Sequence, residues 1–396
     1  MSRKHTIEDI ARIAGVSKAT VSRVINHKPD VDPKTRQRIL RIMEDEGFVP
    51  SITASDLAGG RRRLIGVIVP SFNISFIPTV LHGISGVVGN TLYELVLYSI
   101  NDKTRGNNKG DVIDHILATN FVAGLIAILP GQSLKYVLRL HQHGFPVVII
   151  DDEDTVPPEV PWVEVDNSEG AYQAVRHLLQ LGHRRIAHIQ GLLDNHGSLD
   201  RHQGYCRALE EAGIAPQPDL VLEGDFSVES GQALARNLFS LPVEQRPTAI
   251  FASGDLMAYG VLSAADEYGL RVPEDVALVG FDDLPLSAYM RPPLTTIKQP
   301  FEEMGRRGVE LLLSMLETPH SPQEQDFFQP FTTLPDLQYA GDTESQQQNT
   351  PATHTKLATE LIVRASCGAS LAKPAKERPP RGGSLPYNDE VASRIW

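Results

Sequence analysis

Ser17, Lys18, Thr20, Ser22, Arg23 and Asn26 lie within ten residues of one another. All six side chains form hydrogen bonds, and two of them are cationic. Between them Val21, Val24 and Ile25 share one face at helical spacing. A helix of this kind is apolar inside and slim, polar and positive outside. That outer face suits a duplex major groove about 12 Å wide. Ahead of it, Ile7, Ile10, Ala11 and Ala14 mark another short amphipathic helix, which runs into Gly15. Two short helices joined by a glycine-containing turn, spanning residues 6–26, predict a helix-turn-helix.

The surrounding elements must hold that helix. Asp32-Pro33 offers an N-cap followed by proline at the first helical position. Ile39, Ile42 and Met43 then repeat at helical spacing up to Gly47. Residues 1–50 therefore read as a small three-helix, all-α domain. Residues 51–63 follow as a linker, in which Ala54, Leu57 and Ala58 can share a helical face before Arg61-Arg62-Arg63. Two turns of helix are unstable alone in water, so this hinge helix should order only when packed against something.

From Leu64 the pattern changes. Short β-rich runs at 64–70, 94–100, 124–129, 146–151, 185–190, 248–253 and 276–282 alternate with helical stretches. Such alternation predicts an α/β core of parallel sheets with right-handed crossovers. The units are too many for one compact sheet, so two lobes are expected, about 64–162 and 163–291, with the chain crossing back after 291. Ligands of such sheets bind outside the carboxyl ends of the strands, here the cleft between lobes. Residues 318–358 are rich in Pro, Gln, Thr and Asp, 359–366 resemble a final strand, and the core should end near 367. Residues 368–396 read as a disordered tail. No leucine heptads stand there, so no C-terminal coiled coil is expected.

Charge divides along the same boundary. Residues 1–63 hold 13 Lys+Arg against 8 Asp+Glu, a net of +5, while the remainder is −17 and the whole chain −12. A basic head on an acidic body fits one end meeting a polyanion. No apolar run of about 18 residues suggests a membrane span. No apolar segment near the N-terminus suggests a secretory signal, so a cytoplasmic protein is expected. Cys206 and Cys367 stand far apart, outside any CxxC pattern, and read as two unrelated thiols. The 13 histidines are scattered, and GxSxG, GxxxxGK[ST] and HExxH are absent. No enzyme, cofactor or metal site is expected. The rival reading is a soluble sugar-binding receptor or enzyme on the same two-lobed frame.

TIEDIARIAGVSKATVSRVIN, VDPKTRQRIL, ASDLAG, LIGVIVP, HLLQLGHRRIAHIQG, DRHQGYCRAL, GDLMAYGVLSAADEYGLRVPEDVALVGFDD and PPLTTIKQP occur here in order. Their sequence and order resemble the LacI/GalR family over about residues 6–317 and 359–367. The resemblance implies a homodimeric repressor with a core like a periplasmic sugar-binding protein, acting on a pseudo-palindromic double-stranded operator. It implies phosphate contacts for Ser17, Thr20, Ser22 and Asn26, and base readout for Lys18, Ala19 and Arg23. Thr6 and Ala54 join these DNA-binding positions, and Leu57 falls where the family wedges a leucine into the minor groove.

The same resemblance implies a small-molecule effector, a sugar or sugar derivative, with a regulator whose core binds a phosphoprotein as the alternative. Arg201 would grip its polar groups, Asp282 would accept its hydrogen bonds, Phe76 and Phe226 would wall it, and Asp151 would add a further contact. Asp255 reads instead as a cap for the following helix. Three departures bear on the ligand. NISFI at 73–77 replaces the family's usual stretch after the first strand. Asn195 and Asp152 stand where purine-binding relatives carry an arginine and an aromatic. The last two favour a hydroxyl-rich ligand over a purine base.

Overall fold

The computed structural model describes residues 5–25, 28–48, 63–100, 121–129, 131–151, 156–193, 195–317 and 354–369. Asn26, Ala54, Leu57 and Asp152 lie outside these residues, as do nearly all of the expected hinge helix, the helical stretch near 110–119, most of 318–358 and nearly all of the tail.

The head consists of α1 (Ile7–Ala14), α2 (Lys18–Ile25) and α3 (Pro33–Asp45). Ile10, Ala11, Ala14, Val21, Val24, Val31, Ile39 and Met43 close into its core. Asp32 caps α3, its carboxylate accepting from Thr35 N at 3.0 Å, with Pro33 in the first turn.

The chain divides into two compact units, the first of which includes the head. One comprises Met1–Asp166 with Pro300–Ala358, the other Asn167–Gln299 with Thr359–Trp396. The chain therefore changes unit three times.

The first unit carries β1 (Leu64–Val69), α4 (Ile77–Val88), β2 (Glu94–Ser99), β3 (Val122–Ile128), α5 (Leu134–Gln142), β4 (Val147–Ile150) and β5 (Trp162–Val165). After the second unit it regains α10 (Phe301–Glu317) and β11 (His354–Leu357). Its sheet runs β11-β5-β4-β3-β1-β2 and every pairing is parallel. The inner strands are apolar almost throughout because both faces are covered. One face packs on α4 and α10, through Val80, Ile84, Met304 and Leu312. The other packs on α5, through Leu134, Val137 and Leu140. The helices α4 and α10 cross with backbones nearly touching. A Cβ on Gly83 would strike the Glu302 carbonyl, and one on Gly305 would strike the Val80 carbonyl.

The second unit carries α6 (Asn167–Gln180), β6 (Ile186–Gln190), α7 (His196–Glu211), β7 (Val221–Glu223), α8 (Val228–Ser240), β8 (Ala249–Ala252), α9 (Asp255–Glu267), β9 (Ala277–Asp282), β10 (Thr295–Lys298) and β12 (Glu360–Ile362). Its sheet runs β12-β10-β9-β8-β6-β7, parallel except for β12, which pairs antiparallel with β10. α8 and α9 cover one face, α6 and α7 the other.

Four strands go beyond the periodic reading: β5, β7, β10 and β11. Each has only three or four residues. The run at 359–366 is strand only over Glu360–Ile362. Beyond it the chain ties into the sheet through Ser366, whose hydroxyl donates to Leu278 O at 2.7 Å and accepts from Thr295 N at 2.8 Å.

Candidate functional site

The outer face of α2 is built from its inner one. Val21 and Val24 are fully buried, which leaves Lys18, Ala19 and Arg23 exposed on the far side. Thr6 and Asp9 start α1 with a reciprocal cap: Asp9 N donates to Thr6 Oγ1 at 3.3 Å, and Thr6 N to Asp9 Oδ2 at 3.0 Å. Gly15 turns the chain at φ +63°, where only glycine sits without strain. Ser17 Oγ then accepts from Thr20 N at 3.2 Å and lies 2.9 Å from Thr20 Oγ1. Thr20 and Ser22 are half-buried at the edge of the exposed strip. Lys18 Nζ rests 2.8 Å from Glu8, and Arg23 3.6 Å from Asp30. Both pairs are exposed, so each contributes little.

In the second unit a charged constellation forms at the carboxyl ends of the strands. Arg201, on α7, is almost fully buried. Its Nε donates to Asn167 Oδ1 at 2.9 Å and its Nη1 to Ser253 O at 2.6 Å. Its guanidinium lies over the Phe281 ring, 3.9 Å from the centroid, a cation–π contact in a desolvated setting. Asp282 Oδ1 stands 3.9 Å from Nη1. Asp282 ends β9 at φ +122°, and it accepts from Gln299 Nε2 at 2.7 Å. Asp283 follows at φ +56° and is held by Arg364 Nη2 at 2.7 Å, while Arg364 Nη1 donates to Leu294 O at 2.8 Å. Phe226, after β7, has φ +64°. Its ring fills the space where a side chain on Gly191 would stand and lies 3.2 Å from the position of a Cβ on Gly254. Asn195 caps α7, accepting from Ser198 N at 3.0 Å.

Asp255 requires a correction. The residue capping α9 is Gly254, and no side chain caps it. The Asp255 carboxylate reaches away from the helix end. It accepts from Leu284 N at 2.8 Å, Ser287 Oγ at 2.5 Å and Thr296 Oγ1 at 2.6 Å. Burial, and then the nearby Asp282 charge, push its pKa up to about 7 against these three donors. Ser287 Oγ also lies 2.8 Å from Tyr259 Oη.

In the first unit Phe76 stacks face to face on Phe301, with centroids 4.6 Å apart. Asp151 follows β4 at φ +68°, its N–H donating to Val163 O at 3.0 Å. Asp151, Phe226 and Asp282 thus all hold left-handed backbone at or after strand ends. Such strain concentrates where side chains must be aimed.

The sequence reading singled out Arg201, Phe226 and Asp282, and the fold brings them into one unit. It did not single out Asn167, Ser253, Phe281, Gln299 or Arg364. Phe281 stands beside Asp282 in GFDD and Gln299 follows strand β10, but nothing local couples either to Arg201.

Cys206 and Cys367 are both free thiols. Among the described residues, no group of three or more His, Cys, Asp or Glu could hold a metal ion, and no helix is long and apolar enough to cross a membrane.

Comparison with known proteins agrees with this anatomy. Residues 6–51 match the model of the bacterial regulatory proteins, lacI family, and residues 175–334 match that of the periplasmic binding protein-like domain. The HTH-type transcriptional repressor PurR of Aliivibrio salmonicida (strain LFI1238) is 35% identical over 325 residues, covering 80% of this chain and 93% of that protein. The HTH-type transcriptional repressor CytR of Escherichia coli (strain K12) is 35% identical, covering 80% and 91%. Among solved structures, the lac repressor dimer bound to operator and the anti-inducer ONPF aligns with a TM-score of 0.73 at 28% identity, covering 92% of this chain and 99% of that one. A transcriptional regulator CelR–cellobiose complex aligns at 0.63 and 31% identity, covering 92% and 100%. With more than nine-tenths of each repressor's length matched at 35% identity, the chain belongs to the LacI family of bacterial regulatory proteins and is a DNA-binding transcriptional regulator, not an enzyme.

Proposed function

We propose that the chain is a homodimeric repressor of carbohydrate catabolism or uptake genes, relieved or reinforced by a small hydroxyl-rich effector. Lys18, Ala19 and Arg23 read bases, Ser17, Thr20, Ser22 and Asn26 hold phosphates, and Thr6 is a further DNA-binding position. Leu57 wedges into the minor groove at the operator centre, and Ala54 is a further DNA-binding position. Two-fold symmetry of the dimer demands paired half-sites about one helical turn apart. Arg201, Asp282 and Phe226 hold the effector at the strand ends of the second unit. The hinge helix links the two events, since two turns of helix need a twin and a groove to stay folded.

One observation carries the effector reading. Arg201 is buried, stacked on Phe281 and fixed at two points beside a carboxylate on strained backbone. An arginine beside a carboxylate offers donors and acceptors to vicinal hydroxyls, and Phe226 offers an apolar wall to a ring. The CelR complex with cellobiose supports a saccharide on this architecture. The test is Arg201→Ala in an operator-binding titration. Operator affinity should persist while its modulation by saccharides disappears. Normal modulation in this variant would remove Arg201 from the effector site.

A further inference from the structure

Two buried polar atoms next to the Arg201–Asp282 pair have no hydrogen-bond partner among the described residues: Ser253 Oγ and Gln299 Oε1. Ser253 is fully buried and Gln299 is 5% exposed. Both residues touch the pair directly. The Ser253 carbonyl accepts from Arg201 Nη1, and Gln299 Nε2 donates to Asp282 Oδ1 at 2.7 Å. That second bond fixes the amide: Asp282 takes the NH2 group, so the orphaned atom is the carbonyl oxygen. An unsatisfied buried acceptor is costly, and the described residues supply no donor to offset it. Phe226 lies against Gly254, the residue after Ser253, and forms the apolar side of the same place.

The charges nearby limit what can arrive. Arg201 faces Asp282, and Arg364 is taken by Asp283. Asp255 adds a further carboxyl, accepting from Leu284 N, Ser287 and Thr296, and Asp225 adds another, tied to Ser227. Lys298 is exposed, and strand alternation turns it away from the face that Gln299 occupies. Each guanidinium at these strand ends therefore meets a carboxylate, and acids remain over. A phosphate dianion would find no uncompensated cation among these described groups. A carbonyl oxygen and a carboxylate side by side call for O–H donors.

We infer that Ser253 Oγ and Gln299 Oε1 are two further effector-binding atoms, and that the effector they select is an uncharged saccharide, not a sugar phosphate. The inference rests on reading Arg201 and Asp282 as effector contacts. Gln299 Oε1 accepts one ligand hydroxyl, Ser253 Oγ exchanges a hydrogen bond with another, and Asp282 receives the rest.

The test uses the full chain and matched probes: glucose with glucose 6-phosphate, ribose with ribose 5-phosphate, and cellobiose with its 6-phosphate, each followed by thermal shift and calorimetry. At least one neutral member should raise the melting temperature by mass action, with its phosphate binding at least tenfold more weakly. Ser253→Ala and Gln299→Leu should each weaken that saccharide about tenfold. Deoxy analogues separate contact from fold. For one position, loss of the hydroxyl should weaken binding to the wild type but no further to the matching variant. Tighter binding of a phosphate member would overturn the inference while leaving a small-molecule effector in place. Unchanged saccharide affinity in both variants would also overturn it. If neither neutral nor phosphorylated members bind, the saccharide-effector proposal falls with it.

Discussion

Replacing Asp255 with asparagine tests the electrostatics of the second unit most directly. The carboxylate is buried between Leu284 N, Ser287, Thr296 and the Asp282 charge, and Tyr259 reaches it through Ser287. Its pKa rises from the ordinary 3.8 to about 7, chiefly through burial. A raised folded-state pKa means that the native protein favours the protonated form. The stability due to that proton is therefore complete below about pH 4, where the unfolded chain also carries it, and is lost as pH climbs through about 7. At roughly 1.4 kcal/mol per unit, a shift of about three units amounts to about 4 kcal/mol over that window. The substituted carboxamide would stay neutral throughout. With its oxygen in the Oδ2 position it keeps the bonds from Leu284 N and Ser287 Oγ, and its NH2 can donate to Thr296 once that hydroxyl turns away. Thermal unfolding of wild type and Asp255→Asn between pH 4.5 and 8.5 should show the variant gaining on the wild type as pH rises. A difference that stays flat, or shrinks, across the window would refute the reasoning.

Arg23→Ala should relax base preference in a binding-site selection by about 1–3 kcal/mol at one position, the discrimination typical of a bidentate arginine–guanine contact; unchanged selected sites would place Arg23 outside readout. Gly305→Val should lower the melting temperature by forcing α10 away from the Val80 carbonyl on α4, an overpacking cost of about 1–3 kcal/mol or more.

Much of this architecture was legible because buried parallel strands advertise themselves. LIGVIV, VAGLIAI and VVII are continuous apolar runs, which both-face burial demands. WVEV was not legible, because its Glu164 is buried within a strand, against the usual rule for carboxylates. HTKL and VLE are edge strands, held by a neighbour more than by their own composition. At the site, GFDD and DRHQGY pointed to Asp282 and Arg201. Asp255 was misread because an acid opening a helix looks like a cap, whereas its partners stand 29 to 41 residues further along the chain. Ser253 and Gln299 likewise gain meaning only from contacts that no local pattern encodes.

The late strands set an order of events. β11 gives the first sheet its outer edge and β12 does the same for the second, three residues later in the sequence. Arg364, which clamps the turn beside Asp282, follows almost at once. During synthesis the three-helix head emerges first, able to bury its own core, while neither sheet is finished until residues near 360 have left the ribosome. A nascent chain therefore completes the core of its helical head long before it completes either sheet.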